Sequence, residues 1–278
     1  MRKTIVISFN SNTDYSVFAP LCAWAWDRLG WEPMAFYHNG GFHPKEQEKE
    51  LFDLIADTFP FKIWHLKSIP GYRSDTISQI SRLYGACDYE LKPDDYLMTA
   101  DVDMIPLSDF WKPNPEVITV YGHDLTDYTE IPICYVGMKV GKWREVMGLS
   151  KGPNESIERD LLKIPNAHES VEWGKRWSVD QQLITERLRA TTFQIDHIKR
   201  GKYPNGYAVG RVDRGSWSLD GHEQYIDAHL LRDIYKLSDT GIGNLSKTMR
   251  LLYKIWPEED FSWIRNYIIE FQKLANNG

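Results

Sequence analysis

Along the first hundred residues the apolar positions change period several times, and each change predicts an element. Residues 4–9 (TIVISF) form a β-branched run without helical spacing, the pattern of a buried strand. A polar turn follows (SNTDYS, 11–16), then a helix from about Pro20 to Gly30, since proline is tolerated in a first turn and glycine stops the last. Residues 32–38 (EPMAFYH) and 62–67 (KIWHLK) read as strands. Between them, 44–59 place Leu51, Leu54, Ile55 and Phe59 on one face of an amphipathic helix. In 75–89 Ile77, Ile80, Leu83 and Tyr84 recur at helical spacing, with Asp75 positioned as the cap. The next predicted strand is 94–103 (DDYLMTADVD).

Strand–helix alternation with short connections predicts an α/β fold: a Rossmann-like, open, mostly parallel sheet flanked by helices. Ligands of such sheets bind outside the carboxyl ends of the strands. Beyond residue 110 the pattern loosens. Segments 116–122, 133–140 and 191–198 read as strands and 178–190 as a helix. The C-terminal 257–275 opens with Pro257 and acidic residues, and Phe261, Ile264, Ile268 and Phe271 make an apolar stripe for packing on the sheet. With no repeat or linker, the chain is expected to form one domain over 1–240, with a helical C-terminal tail over 241–278 packed on it.

Composition narrows the partners. The 278 residues are 42% hydrophobic and 26% charged, ordinary values for a globular protein able to bury a large core. Aromatics reach 13%, with 11 Trp, which fits either a thick core or a cleft that stacks on flat ligands. A net charge of −6 without a basic stripe argues against nucleic acid as a partner. Cys22, Cys87 and Cys134 form no CxxC pair and read as reduced thiols. The apolar run at the start ends after Phe9, too short for a signal-peptide core, and no stretch has the length of a transmembrane segment. A cytoplasmic location is expected.

Asp101 and Asp103 are the outstanding chemical feature, two carboxylates one residue apart at the end of a core strand. In a strand, side chains two apart point to the same side. Carboxylates held that close in a dry cleft repel unless a cation lies beside them, and Mn²⁺ or Mg²⁺ is the natural occupant. Such a site suits an enzyme that neutralises a departing diphosphate. The alternative is a solvated turn, since a bare DxD arises by chance.

With strand–helix alternation from residue 4, a helix carrying SRLYGA, and then YLMTADVDMIPL, the sequence resembles the GT-A glycosyltransferases, nearest the glycogenin and bacterial galactosyltransferase type. The resemblance extends over roughly residues 4 to 236. It implies that Asp101 and Asp103 hold a divalent metal against a nucleotide-diphosphate sugar, with a late histidine as third ligand. His229 is preferred to His222 there, because it follows a strand-like run and precedes Arg232 and Lys236, two possible phosphate partners. By the same resemblance Arg82 helps fix the donor. Phe9, Asn10, Ser11 and Asn12 wrap the base and ribose, Tyr15 stacks on the base, and Val102 lies against the donor between the two aspartates. In ICYVGMKVGKWREVM, Gly137 matches a glycine beside the donor sugar, while Cys134 and Tyr135 replace the family's Asn and Ser. SVDQQLIT implies that Asp180 bonds sugar hydroxyls and that Gln181 lies near the anomeric carbon; a helix cap at Ser178 or Asp180 is the bland alternative.

The expected activity is metal-dependent transfer of a sugar, from a UDP-sugar before a GDP-sugar, to a saccharide or glycoconjugate hydroxyl, with retention slightly favoured. Two alternatives are carried. A sugar nucleotidyltransferase normally has a glycine-rich basic loop after the first strand, which SFNSNTDYS lacks. A non-catalytic carbohydrate-binding protein on the same fold needs none of the metal residues. The Trp and Tyr residues between 203 and 225 fit an acceptor groove or an aromatic core equally well.

Overall fold

The computed structural model describes residues 1–123, 130–200 and 210–276. From the N-terminus run β1 (Lys3–Asn10), a single turn α1 (Thr13–Ser16), α2 (Ala19–Arg28), β2 (Glu32–His38), α3 (Lys45–Thr58), β3 (Lys62–Leu66) and α4 (Ser74–Ser81). Then follow β4 (Tyr96–Thr99), β5 (Met104–Pro106), β6 (Ile118–His123), β7 (Val136–Lys139), α5 (Val140–Met147), α6 (Pro153–Leu161), α7 (Trp173–Arg176) and α8 (Val179–Ala190). The last elements are β8 (Ile195–Arg200), β9 (Gly210–Val212), β10 (Tyr225–His229), α9 (Asp239–Ile255) and α10 (Ser262–Asn276).

Seven strands form one sheet in the order β3-β2-β1-β4-β7-β6-β8. Only β7 runs against its neighbours, so the expected open, mostly parallel sheet is present. Strict alternation along the strands divides the core in two. Ile5, Ile7 and Phe9 of β1 point to one face, packed with α2, α3, α9 and α10. Val6 of β1 and Leu97 of β4 point to the other, under α4, α5, α6 and α8. The C-terminal stripe Phe261, Ile264, Ile268 and Phe271 is buried in the first of these cores, and Gln47 of α3 donates to the Leu274 carbonyl of α10 at 2.7 Å.

The chain moves outward from β1 through β2 to β3, then returns to β4 on the other side of β1. That reversal opens a crevice beyond the strand ends. A second, three-stranded sheet, β5-β10-β9, closes one side of it, with β5 antiparallel and β9 parallel to β10.

Several predicted boundaries shift for tertiary reasons. The strand expected over 94–103 leaves the large sheet at Thr99, after Ala100 N donates to Val6 O at 2.8 Å, and re-enters pairing as β5 in the small sheet. Asp101 and Asp103 therefore lie in the crossover between two sheets, not in one strand, and strand alternation does not aim them at a common point. The helix expected over 75–89 is α-helical only to Ser81 and then tightens to a 3₁₀ turn over Arg82–Cys87. Close packing in that turn requires a glycine: a Cβ on Gly85 would lie 2.6 Å from Val6 Cγ2 and 2.9 Å from Leu97 Cδ1. Asp75 does not cap α4; Arg73 holds the N-cap position, and Asp75 Oδ1 accepts from Thr76 N at 2.7 Å. Segment 133–140 is a strand only over Val136–Lys139, and the sequence reading missed α5, α6 and α9 although their apolar residues recur at helical spacing.

Candidate active site

A cleft of about 930 Å³ lies across the carboxyl ends of β1 and β4. On the β1 side, Phe9 and Asn10 end the strand and line it, followed by Asn12 and Tyr15. The polar loop has a local cause. Asn10 Oδ1 accepts from Asn12 N at 3.1 Å, and Asn12 Oδ1 accepts from Asp14 N at 3.0 Å as the N-cap of α1. Ser11 is turned away from the cleft. Its hydroxyl donates to Glu48 Oε1 at 2.5 Å and accepts from Gly40 N at 3.0 Å, so it anchors the loop instead of lining it.

Across the cleft mouth Tyr15 meets Arg232, whose Nη2 donates to Tyr15 Oη at 2.5 Å while the guanidinium sits 5.0 Å from the ring centre. Burial pushes the Tyr15 phenol above its usual range. Tyr235 fastens the same two segments, donating to Asp14 Oδ1 at 2.9 Å with Thr13 Oγ1 also at 2.9 Å. Lys236 does not line the cleft and pairs with Asp233 at 2.5 Å and Asp14 at 3.7 Å.

The floor is a chain of charged groups. Arg82, the first residue of the 3₁₀ turn, donates through Nη1 to Asp101 Oδ1 and through Nη2 to Asp180 Oδ2, the latter at 2.5 Å. Asp180, in the first turn of α8, is buried, and its other oxygen accepts from Gln181 N at 2.8 Å. Ser178 is not a side-chain cap either; its hydroxyl bonds Glu130 Oε1 at 3.0 Å. Gln181 lines the cleft beside Asp180, and Val102 lines it between the two aspartates.

Asp103 and His229 are brought together by the small sheet. His229 ends β10 opposite Met104, and Leu230 N donates to Asp103 O at 2.8 Å. His229 Nε2 then lies 3.4 Å from Asp103 Oδ2. Arg214 joins them, donating from Nη2 to Asp103 Oδ2 at 2.5 Å and from Nε to His229 Nδ1 at 3.2 Å. Burial holds the His229 imidazole below its usual range, with Arg214 and Arg211 adding to that effect and Asp103 and Asp213 opposing it.

The structure thus gathers Phe9, Asn10, Asn12, Tyr15, Arg82, Asp101, Val102, Asp103, Asp180, Gln181, His229 and Arg232 around one cleft. His222 lies off it, beside Glu223. Gly137 also lies off it, in β7 between Met98 of β4 and Thr119 of β6. Glycine is needed there because a Cβ would meet Tyr96 Oη at 2.5 Å. Lining residues that the sequence reading missed include Phe42, Arg73, Arg176, Trp177 and Arg214. Arg176 and Trp177 directly precede the SVDQQ segment, a usable signal; nothing local marks Arg214. Of the aromatic run from 203 to 225, residues 203–209 lie outside the described residues.

Two carboxylates and an imidazole on one cleft are, by type, the donors of a Mn²⁺ or Mg²⁺ site. As the side chains stand, no group of three or more His, Cys, Asp or Glu among the described residues is gathered to hold a metal ion. Each of the three donors is instead engaged by a guanidinium. Among the described residues no helix is long and apolar enough to cross a membrane.

No family model and no curated protein matches the sequence. Among solved structures, the chain is similar to the glycosyltransferase GlyE of Streptococcus pneumoniae TIGR4, with 14% identity and a TM-score of 0.48, over 95% of this chain and 63% of that one. It is similar to the galactosyltransferase LgtC in complex with donor and acceptor sugar analogs, with 12% identity and a TM-score of 0.49, over 95% of this chain and 99% of that one. A glycosyltransferase involved in the glycosylation of the major capsid of PBCV-1 is similar at 9% identity and a TM-score of 0.38, over 88% of this chain. The chain spans less than two thirds of the length of GlyE. At these identities the likeness assigns no role to any residue.

Proposed function

We propose that the chain is a glycosyltransferase that moves a sugar from a nucleotide-diphosphate donor, UDP before GDP, to a hydroxyl of a saccharide or glycoconjugate. One observation carries the reading: Asp101, Asp103, His229, Asp180 and Gln181 converge on one cleft at the reversal point of an α/β sheet, with volume for a nucleotide sugar. The loop from Phe9 to Tyr15 would receive the base and ribose, with the Tyr15 ring as a stacking surface. Arg82, Arg214 and Arg232 supply fixed positive charge for the diphosphate. Asp101, Asp103 and His229 would hold a Mn²⁺ or Mg²⁺ ion, which supplies Lewis-acid charge on the leaving group.

In the reaction the bond from the anomeric carbon to the phosphate oxygen breaks, and its electron pair leaves on the diphosphate. The acceptor oxygen bonds to that carbon and its proton passes to a phosphate oxygen. Asp180 is engaged at both oxygens, by Arg82 and by Gln181 N, and is buried. A carboxylate so occupied is a poor general base and a good fixed acceptor for sugar hydroxyls, which supports retention over inversion. The neutral Gln181 amide has no basicity and suits a place against the anomeric carbon.

The test is donor hydrolysis across UDP-, GDP- and CMP-sugars with Mn²⁺ or EDTA, for wild type, Asp101→Asn and Asp103→Asn. The expected result is release of one nucleotide, metal-dependent and lost in both variants. Silence across the panel together with absent nucleotide binding rejects the reading and leaves a carbohydrate-binding protein.

A further inference from the structure

Arg214 places one planar guanidinium on two of the three expected metal donors, reaching Asp103 Oδ2 at 2.5 Å and His229 Nδ1 at 3.2 Å. Because Nε–H of arginine only donates, Nδ1 of His229, which also has Asp213 Oδ1 at 3.5 Å, accepts in this arrangement, and a neutral ring then carries its proton on Nε2. That nitrogen faces Asp103 at 3.4 Å. Neither imidazole nitrogen keeps a lone pair for a metal while Arg214 stays. Asp101, the third donor, is held by Arg82 in the same way.

Two features bear on whether the arrangement can change. Arg214 Nη1 is buried and has no hydrogen-bond partner among the described residues, and Arg82 Nε is in the same condition. A buried N–H of a charged group without an acceptor is costly, and a phosphate oxygen is the acceptor guanidinium groups match best. Arg214 also rides on a short 3₁₀ turn, Arg214–Ser216, capped by Asp213, and not on a strand of the small sheet. Below it, the paired bonds from Arg211 to Asp227, at 3.1 and 3.0 Å, keep those two strands fixed.

We propose that Arg214 is the resident cation of this donor set. In the nucleotide-free protein it occupies Oδ2 of Asp103 and Nδ1 of His229 and competes with a divalent ion for this pair, and it releases them when a nucleoside diphosphate takes its guanidinium. Metal and donor therefore load together. The identity of the incoming polyphosphate rests on the glycosyltransferase reading; the competition for the donor pair does not. Charge supports coupled loading. Among the described residues five aspartates and five arginines line the cleft, so their formal charges balance. A divalent ion alone overshoots that balance, whereas an ion accompanied by a diphosphate does not.

The experiment is titration of Mn²⁺ into nucleotide-free protein, followed by the electron paramagnetic resonance signal of the free ion. Arg214→Gln is expected to bind one Mn²⁺ at least tenfold more tightly than wild type, since a guanidinium–carboxylate bond is worth about that factor or more in competition for the carboxylate. Adding Asp103→Asn to the variant should abolish the gained site. Equal Mn²⁺ affinity in wild type and Arg214→Gln overturns the proposal, and so does absence of Mn²⁺ uptake by the variant. Wild-type donor hydrolysis separates the two failures. Turnover of a nucleotide sugar with no effect of Arg214→Gln on Mn²⁺ affinity removes only the Arg214 proposal. A gained Mn²⁺ site in a protein that turns over no donor removes only the glycosyltransferase reading.

Discussion

Replacing Arg82 by methionine removes the cation between Asp101 and Asp180 while keeping most of the side-chain volume. The two carboxylates respond differently. Asp101 has a side chain 30% exposed, so water takes over its solvation and the loss on that side is about 0–1 kcal/mol. Asp180 has a side chain 2% exposed and, among the described residues, keeps only the Gln181 amide as a donor. Stranding a buried charge in this way costs about 3–5 kcal/mol. With a urea m-value of about 3 kcal/mol/M for a chain of this size, the unfolding midpoint should fall by roughly 1–2 M. Urea denaturation followed by circular dichroism reads this directly. Adding Asp180→Asn to Arg82→Met removes the stranded charge and should recover more than half of the loss. A midpoint within about 0.3 M of wild type for Arg82→Met, or no recovery in the double variant, refutes the reasoning that Arg82 stabilises mainly through Asp180.

Two further outcomes are expected. Gly137→Ala should destabilise by about 1–3 kcal/mol in thermal unfolding, because the new methyl overlaps the Tyr96 ring, yet leave donor KM unchanged below its melting temperature; a raised KM at full stability would place Gly137 against the donor after all. Asp160 is fully buried and accepts from Tyr84, Arg159 and Arg187. Burial alone would raise its pKa, but these bonds and the arginine charges outweigh it and hold the carboxyl below its usual range. A depressed folded-state pKa contributes stability above the unfolded value of about 4, lost as pH falls through the folded value. The Tm gap between wild type and Asp160→Asn should be full above about pH 5 and shrink below pH 4. A gap constant with pH contradicts it.

Periodicity is a property of chain neighbours, and what depends on neighbours was legible before the fold was known. The β-branched run of β1, the alternating strands β2 and β3, and the apolar faces of α3, α8 and α10 all lie close to where their spacing predicts them. The DxD pair was legible for the same reason, two charges set against an apolar run. So was the strand-like run that leads into His229, which forms β10. Boundaries failed wherever a distant partner decided them. β4 gives way after Thr99 to a segment that pairs with β10 as β5, and the 3₁₀ turn from Arg82 packs Gly85 against Val6 and Leu97. Gly137 matched a functional glycine by sequence, yet its lack of a side chain answers to the Tyr96 ring on the neighbouring strand. The site's electrostatics was the least legible of all. Arg82 meets Asp180 across 98 residues and Arg214 meets Asp103 across 111, and no local pattern encodes either meeting. Which charges neutralise one another depends on distances of a few ångströms, and only the pairing of the two sheets sets those distances.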